Sequence, residues 1–156
     1  MNNIYLGVSG SGKTYKFKHM VLDYLSLNKP IYVIGRSEEW SCFNNIVLFD
    51  SRNISSKDIN NLLDVSNSIV FIDSTELLID KGFIRSLIVT SRVKNNTIYL
   101  SSFGVEYLDD NILTNVNSVH IGYLPLSSLE CVKYRFNVDI DNYDCSLSNY
   151  KFIEII

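Results

Sequence analysis

A chain of 156 residues with 46% hydrophobic and 20% charged residues lies in the range of ordinary globular domains and outside that of disordered segments. Its net charge of −3 argues against a protein that wraps nucleic acid with a broad basic face. The length suits one domain spanning residues 1–156, large enough to bury a core without disulfide or metal staples.

Cys42, Cys131 and Cys145 are odd in number and lack the short spacing of a zinc site or redox pair, so reduced, partly buried thiols are expected. The opening residues, Met1 to Gly7, carry no basic region and reach glycine before an apolar run could act as a signal peptide. No stretch approaches the ~20 apolar residues of a membrane span. A soluble, cytoplasmic protein without a membrane segment is expected. The chain contains no alanine and no glutamine.

Short apolar runs alternate with stretches of helical periodicity, which predicts a three-layer α/β domain with a mainly parallel sheet. The first run, Asn3–Val8, enters Gly7-Val8-Ser9-Gly10-Ser11-Gly12-Lys13-Thr14, which satisfies G-x-x-x-x-G-K-[ST] at every fixed position. By residue frequencies this pattern arises by chance in roughly one chain of this length in two hundred. Its place between an apolar strand and an unbroken helical stretch lowers that further. Glycines let the backbone wrap so that amides at Ser9, Gly10, Ser11 and Gly12 face phosphate oxygens, and the next helix adds its positive end. Lys13 is expected to reach the β- and γ-phosphates of ATP, and the Thr14 hydroxyl to be a ligand of Mg2+.

The helix Lys13–Leu27 presents Phe17, Met20, Val21, Tyr24 and Leu25 at helical spacing and stops at Asn28-Lys29-Pro30. Strands follow at Ile31–Gly35, trailed by Arg36-Ser37-Glu38-Glu39-Trp40, and at Ile46–Phe49. The helix Ser55–Val65 opens on a capping pair, Ser55 and Asp58.

The run Ser68–Asp73 delivers a carboxylate at the end of a buried strand, where a magnesium-dependent NTPase needs one. Asp73 is expected to hold the metal through water. A glutamate usually follows at once to deprotonate the attacking water, but here Ser74 and Thr75 intervene. Glu76 is the first choice of base, with Glu38 and Glu39 as alternatives, because the ligand crevice of an open α/β sheet lies beyond the strand ends. A solvated glutamate in a first helical turn is the competing reading of Glu76.

The helix Phe83–Ser91 carries Arg85, and Arg92 follows it. An arginine supplied by a neighbouring subunit stabilises charge in the transition state, and Arg92 is the stronger candidate. Either arginine could instead complement the helix dipole. The strand Thr97–Ser101 ends in Ser101-Ser102, a place for a γ-phosphate sensor at Ser101 or for ordinary caps. The remaining elements are a helix over Val105–Val116, a strand at Ser118–Tyr123, a helix at Leu126–Tyr134, an irregular stretch at Asn137–Asn149 and an edge strand within Lys151–Ile156.

These pieces, in this order, resemble the FtsK–HerA group of P-loop ATPases, most of all the viral DNA-packaging ATPases and their filamentous-phage assembly relatives. The resemblance covers about residues 2–124, with about 125–156 as a C-terminal extension. It rests on Gly7–Thr14, Arg36–Trp40, the Asp73 strand, Ser91-Arg92 and the Ser101 strand. It implies a RecA-like (ASCE) sheet with the Ser101 strand between the phosphate-loop and Asp73 strands. It also implies a homo-oligomeric ring of five or six subunits that hydrolyses ATP and moves double-stranded DNA, with other viral packaging or assembly proteins as partners and the host cytoplasm as its location. In that picture Lys13, Thr14 and Asp73 act in cis and Arg92 in trans. The chain departs from the group in having Asp73-Ser74 instead of an acidic pair, and in lacking a sensor glutamine.

The same loop serves small nucleoside and nucleotide kinases, but no arginine-rich lid is present. An ATP-binding assembly module with little hydrolysis is the other alternative. No Asn-Lys-x-Asp motif of a GTPase and no Leu-Ser-Gly-Gly-Gln signature of a transporter occurs. For DNA contact the basic candidates are Lys81, Lys94, Lys133 and Arg135.

Overall fold

Side chains that alternate along the central strands divide the core into two layers, as the two-residue period of a strand requires. The computed structural model describes residues 1–78, 82–140, 143 and 151–156. Its strands are β1 (Asn2–Leu6), β2 (Ile31–Gly35), β3 (Val47–Asp50), β4 (Ile69–Ile72), β5 (Thr97–Ser102), β6 (Ser118–Ile121) and β7 (Ile153–Glu154). They form one sheet in the order β3-β2-β4-β5-β1-β6-β7. All neighbours are parallel except β7, which runs antiparallel to β6. The expected mainly parallel α/β sheet is present, and the Ser101 strand lies between the phosphate-loop strand and the Asp73 strand.

On one face Tyr5, Val33, Ile69, Phe71 and Tyr99 pack against Phe17 and Val21 of α1 (Lys13–Tyr24). Phe17 is fully buried and meets Tyr5 edge-on at 5.3 Å and Phe71 at 5.3 Å. On the other face Ile4, Leu6, Val70, Ile72, Ile98 and Leu100 join a larger cluster. Its helical residues include Leu62 from α3 (Ser56–Asp64), Ile84 and Leu87 from α4 (Gly82–Thr90) and Val132 from α6 (Leu126–Phe136). α3 starts on the expected capping pair: the Ser55 side chain accepts from the Asp58 amide and Asp58 reaches back to the Ser55 amide.

Several local expectations are corrected. The single helix over Val105–Val116 is two pieces, a 3-10 turn at Val105–Tyr107 and α5 (Asp110–Leu113). Leu108 between them is extended, and Asp109 caps the second piece by accepting from the Ile112 amide at 2.9 Å. The segment after β2 contains a short helix, α2 (Ser37–Trp40), that periodicity over so few residues does not reveal. Cys42 and Cys131 are exposed rather than partly buried: one follows α2 in a loop, and the other lies on the outward side of α6. Cys145, Lys81 and most of Asn137–Asn149 lie outside the described residues. Among the described residues no helix is long and apolar enough to cross a membrane.

Candidate active site

Because the six parallel strands point the same way, the segments that follow β1, β2, β4 and β5 emerge together at one edge of the sheet. Gly10 and Gly12 have φ of 80° and 92°, in the left-handed region that costs other L-residues roughly 1–2 kcal/mol. Two such residues turn the chain back over the start of α1. Ser9 and Gly10 are exposed at the lip, whereas Ser11 and Lys13 are buried beneath. The Ser11 hydroxyl is buried without a hydrogen-bond partner.

Lys13 Nζ donates to the Gly7 carbonyl and, at 3.1 Å, to the Val8 carbonyl, and lies 5.0 Å from the centre of the Phe103 ring. Burial pulls its pKa below the ordinary lysine value, against the opposing pull of Glu76 and Asp73. The cation therefore sits on carbonyls it can exchange for phosphate oxygens while facing two carboxylates.

Asp73 follows β4 directly and is buried. Its Oδ2 accepts from Thr14 Oγ1 at 2.7 Å and from Trp40 Nε1 at 3.3 Å. Its Oδ1 accepts from Ser101 Oγ at 3.0 Å. Ser101 Oγ in turn accepts from the Ser74 amide at 2.7 Å, which holds Ser74 at a φ of 65°, an uncommon conformation for a residue with a side chain. Thr14 and Asp73, separated by 59 positions, thus meet as a pair of hard oxygen donors, the type of ligand Mg2+ takes.

Glu76 lies in a 3-10 turn, Thr75–Leu77. Both of its carboxylate oxygens are buried without a hydrogen-bond partner at normal distance. Desolvation raises its pKa above the usual carboxylate value, although its own amide, the Lys13 ammonium and the Phe103 amide pull the other way. Glu76 is half-buried with its carboxylate oxygens out of solvent, so it is not a freely solvated residue, but it does not line the cleft at this edge of the sheet.

The cleft at this edge has a volume of about 320 Å³ and is lined by Ser9, Gly10, Gly12, Lys13, Thr14, Tyr15, Arg36, Glu39, Asp73, Ser74 and Phe103. Of the alternative bases, Glu39 faces it, while Glu38 is tied to Arg52 at 2.8 Å. Ser101 is not on the cleft wall; it is fully buried behind Asp73. Arg92 is exposed in the turn that feeds β5 from the opposite edge of the sheet, and Arg85 is exposed on α4. Among the basic candidates, Lys94 donates to the Leu63 carbonyl and Arg135 pairs with Asp110.

Arg36, Tyr15, Phe103 and Trp40 were not singled out as site residues from the sequence. Arg36 had a readable signal, since it is the first residue beyond β2. The Trp40 contact with Asp73 depends on β2 and β4 being neighbours, which no local pattern states.

No protein-family model matches this sequence, and no curated protein matches it. Solved structures do. B204, the DNA-packaging ATPase from Sulfolobus turreted icosahedral virus, superposes with a TM-score of 0.74 at 12% identity, over 99% of this chain and 96% of that one. The genome packaging NTPase B204 from Sulfolobus turreted icosahedral virus 2, in complex with ATP-gammaS, gives 0.72 at 12% identity, over 99% and 96%. The pCW3 conjugation coupling protein TcpA, in its monomer form with ATPgS, gives 0.74 at 13% identity and covers 99% of this chain and 57% of that one. At such identities the likeness is one of fold. The chain has the α/β fold of viral DNA-packaging ATPases, in agreement with the FtsK–HerA resemblance carried by its residues.

Proposed function

We propose that this chain is a Mg2+-dependent ATPase whose hydrolysis drives DNA translocation, as in viral genome packaging, within a homo-oligomeric ring. The observation that carries the reading is the 2.7 Å contact between the Thr14 hydroxyl of the phosphate loop and the Asp73 carboxylate. Both residues line a cleft that Lys13 and the glycine turn also line. The donor set fits Mg2+: Thr14 would be a direct ligand and Asp73 a ligand through water. Held by these two residues, Mg2+ would supply charge neutralisation at the β- and γ-phosphates.

The chain's own residues supply the remainder. Amides of Ser9 to Gly12 bind the phosphates, and Lys13 exchanges the Gly7 and Val8 carbonyls for phosphate oxygens. Glu76 accepts a proton from the water whose oxygen bonds to the γ-phosphorus as the bond to the β-phosphate oxygen breaks. Its desolvated carboxylate, with a raised pKa, is a stronger base than a solvated glutamate. Glu39 is the second candidate, because it faces the cleft. Ser101 acts through Asp73, fixing the direction of the carboxylate. The likeness in fold to a DNA-packaging ATPase and a conjugation coupling protein supports DNA as the moved partner.

ATP hydrolysis by the purified protein, with and without duplex DNA, tests this reading beside Lys13→Ala. Stimulation by DNA and loss of turnover in Lys13→Ala are expected. Phosphate transfer to an added nucleoside or nucleotide, with no response to DNA, would overturn it. The replacement of the usual second acid by Ser74 favours one other reading, a slow ATP-binding assembly module. Its mark is tight nucleotide binding with no turnover under any DNA condition.

A further inference from the structure

We infer that Trp40 is a positioning residue for Asp73: its buried indole N–H fixes the carboxylate in the orientation that meets Thr14 and the metal. The inference rests on the reading of Thr14 and Asp73 as a Mg2+ site and adds a third residue to it. Trp40 is the only tryptophan of the chain. It ends the four-residue α2 at the rim of the sheet, yet it is fully buried.

A buried indole must find an acceptor, and the one it takes is a charged oxygen. Nε1 donates at 3.3 Å to Asp73 Oδ2, the same atom that accepts from Thr14. With Ser101 on Oδ1, the carboxylate is held at both oxygens and cannot rotate without breaking a bond. β2 ends in the residue that makes this possible. A Cβ at Gly35 would stand 2.6 Å from Trp40 Nε1 and 2.7 Å from its Cδ1, so any side chain there would drive the indole away from Asp73. The ring is held from two further sides, by Lys18 of α1 with Nζ 5.8 Å from the ring centre and by Phe43 at 5.8 Å.

A tryptophan that merely filled space would be replaceable by another aromatic ring at no cost to the metal. Partners that orient metal-binding carboxylates typically contribute 10–100-fold in metal affinity. The 3.3 Å bond is long, so about tenfold is expected.

Mn2+ is the probe, counted by electron paramagnetic resonance on the 156-residue chain saturated with a non-hydrolysable ATP analogue. Trp40→Phe keeps an aromatic ring and removes the donor. Its Kd for Mn2+ should rise about tenfold, while the analogue's Kd in chelator stays within about twofold, a split that a structural role alone does not produce. Equal losses in both constants, or no loss in either, overturn the inference. If Trp40→Phe does not fold, wild-type fluorescence decides. Adding Mg2+ to the nucleotide-bound protein should shift the emission of the single tryptophan, and Asp73→Asn should abolish that shift; unchanged wild-type emission overturns the role. Wild-type protein that binds neither nucleotide nor Mn2+ sinks the site reading itself. Wild-type binding that Trp40→Phe fully retains sinks only Trp40.

Discussion

Glu76 and Lys13 are both held where their charged forms are less comfortable than in water. Burial raises the pKa of one and lowers that of the other. A carboxyl with a raised folded pKa binds more protons in the native than in the unfolded state over the range between its two pKa values. Stability from this group is therefore greatest below the ordinary glutamate value and declines as pH rises through the folded one. Glu76→Gln should accordingly melt higher than wild type at pH 7, with the gain shrinking as pH is lowered toward the ordinary carboxylate range. Hydrolysis should fall about 10²–10⁴-fold at the same time. Calorimetry across pH and a phosphate-release assay check the two halves, and a variant that is less stable and fully active would remove Glu76 from the site. Lys13→Ala should cost at least about 10²-fold in turnover, as removal of a transition-state donor does. The octapeptide was readable because each of its fixed positions answers to backbone geometry or phosphate chemistry, and the structure has Gly10 and Gly12 at positive φ. The Asp73 shell was readable at Asp73 and Thr14; Ser101 was expected as a γ-phosphate sensor and instead holds Asp73 from behind, and Trp40 reaches Asp73 from the segment after the neighbouring strand β2, which no local pattern states.

At the scale of elements, the seat of the loop is α1, and α1 is seated by Phe17. Its ring touches Tyr5 of β1, Phe71 of β4 and Tyr99 of β5. Phe17→Ala should cost about 3–5 kcal/mol, and whatever folded protein remains should bind ATP more weakly because the helix carries Lys13 and Thr14. Ser55→Ala is the contrasting control. It removes one half of the capping box at a residue that does not line the cleft and should cost about 1 kcal/mol. That corresponds to roughly 2–4 °C in melting temperature for a domain of this size, with turnover per folded molecule unchanged. Long apolar runs and the Ser55 cap were legible because period and capping chemistry are local. The stretch from Val105 to Val116 was misread because its apolar residues suit one helix, while Asp109 competes by offering its side chain to the Ile112 amide and starting a new one.

At the scale of the whole molecule, the sheet separates Arg92 from the phosphate loop. β5 has six residues, roughly 17–20 Å at about 3.3 Å each. Arg92 precedes its first residue, and Ser101, which bonds Asp73, is its next-to-last. An arginine side chain is shorter than that span, so Arg92 has no route to its own subunit's cleft. A role in hydrolysis requires a head-to-tail neighbour, the heterologous contact that closes into rings. Val93 beside it in the turn is 91% exposed, an apolar side chain, next to a cation, that none of the described residues covers. If a neighbour uses this turn, Arg92→Ala should lower turnover about 10³-fold or more while leaving nucleotide affinity near wild type. Turnover per wild-type subunit should also rise with protein concentration. In mixtures with wild-type protein, one mutant subunit disables the site of its neighbour, so in a coordinated ring activity should drop faster than the mutant fraction. A strictly proportional decline would remove coordination between sites, and turnover independent of concentration at high dilution would show that each subunit works with its own residues and would return Arg92 to the surface.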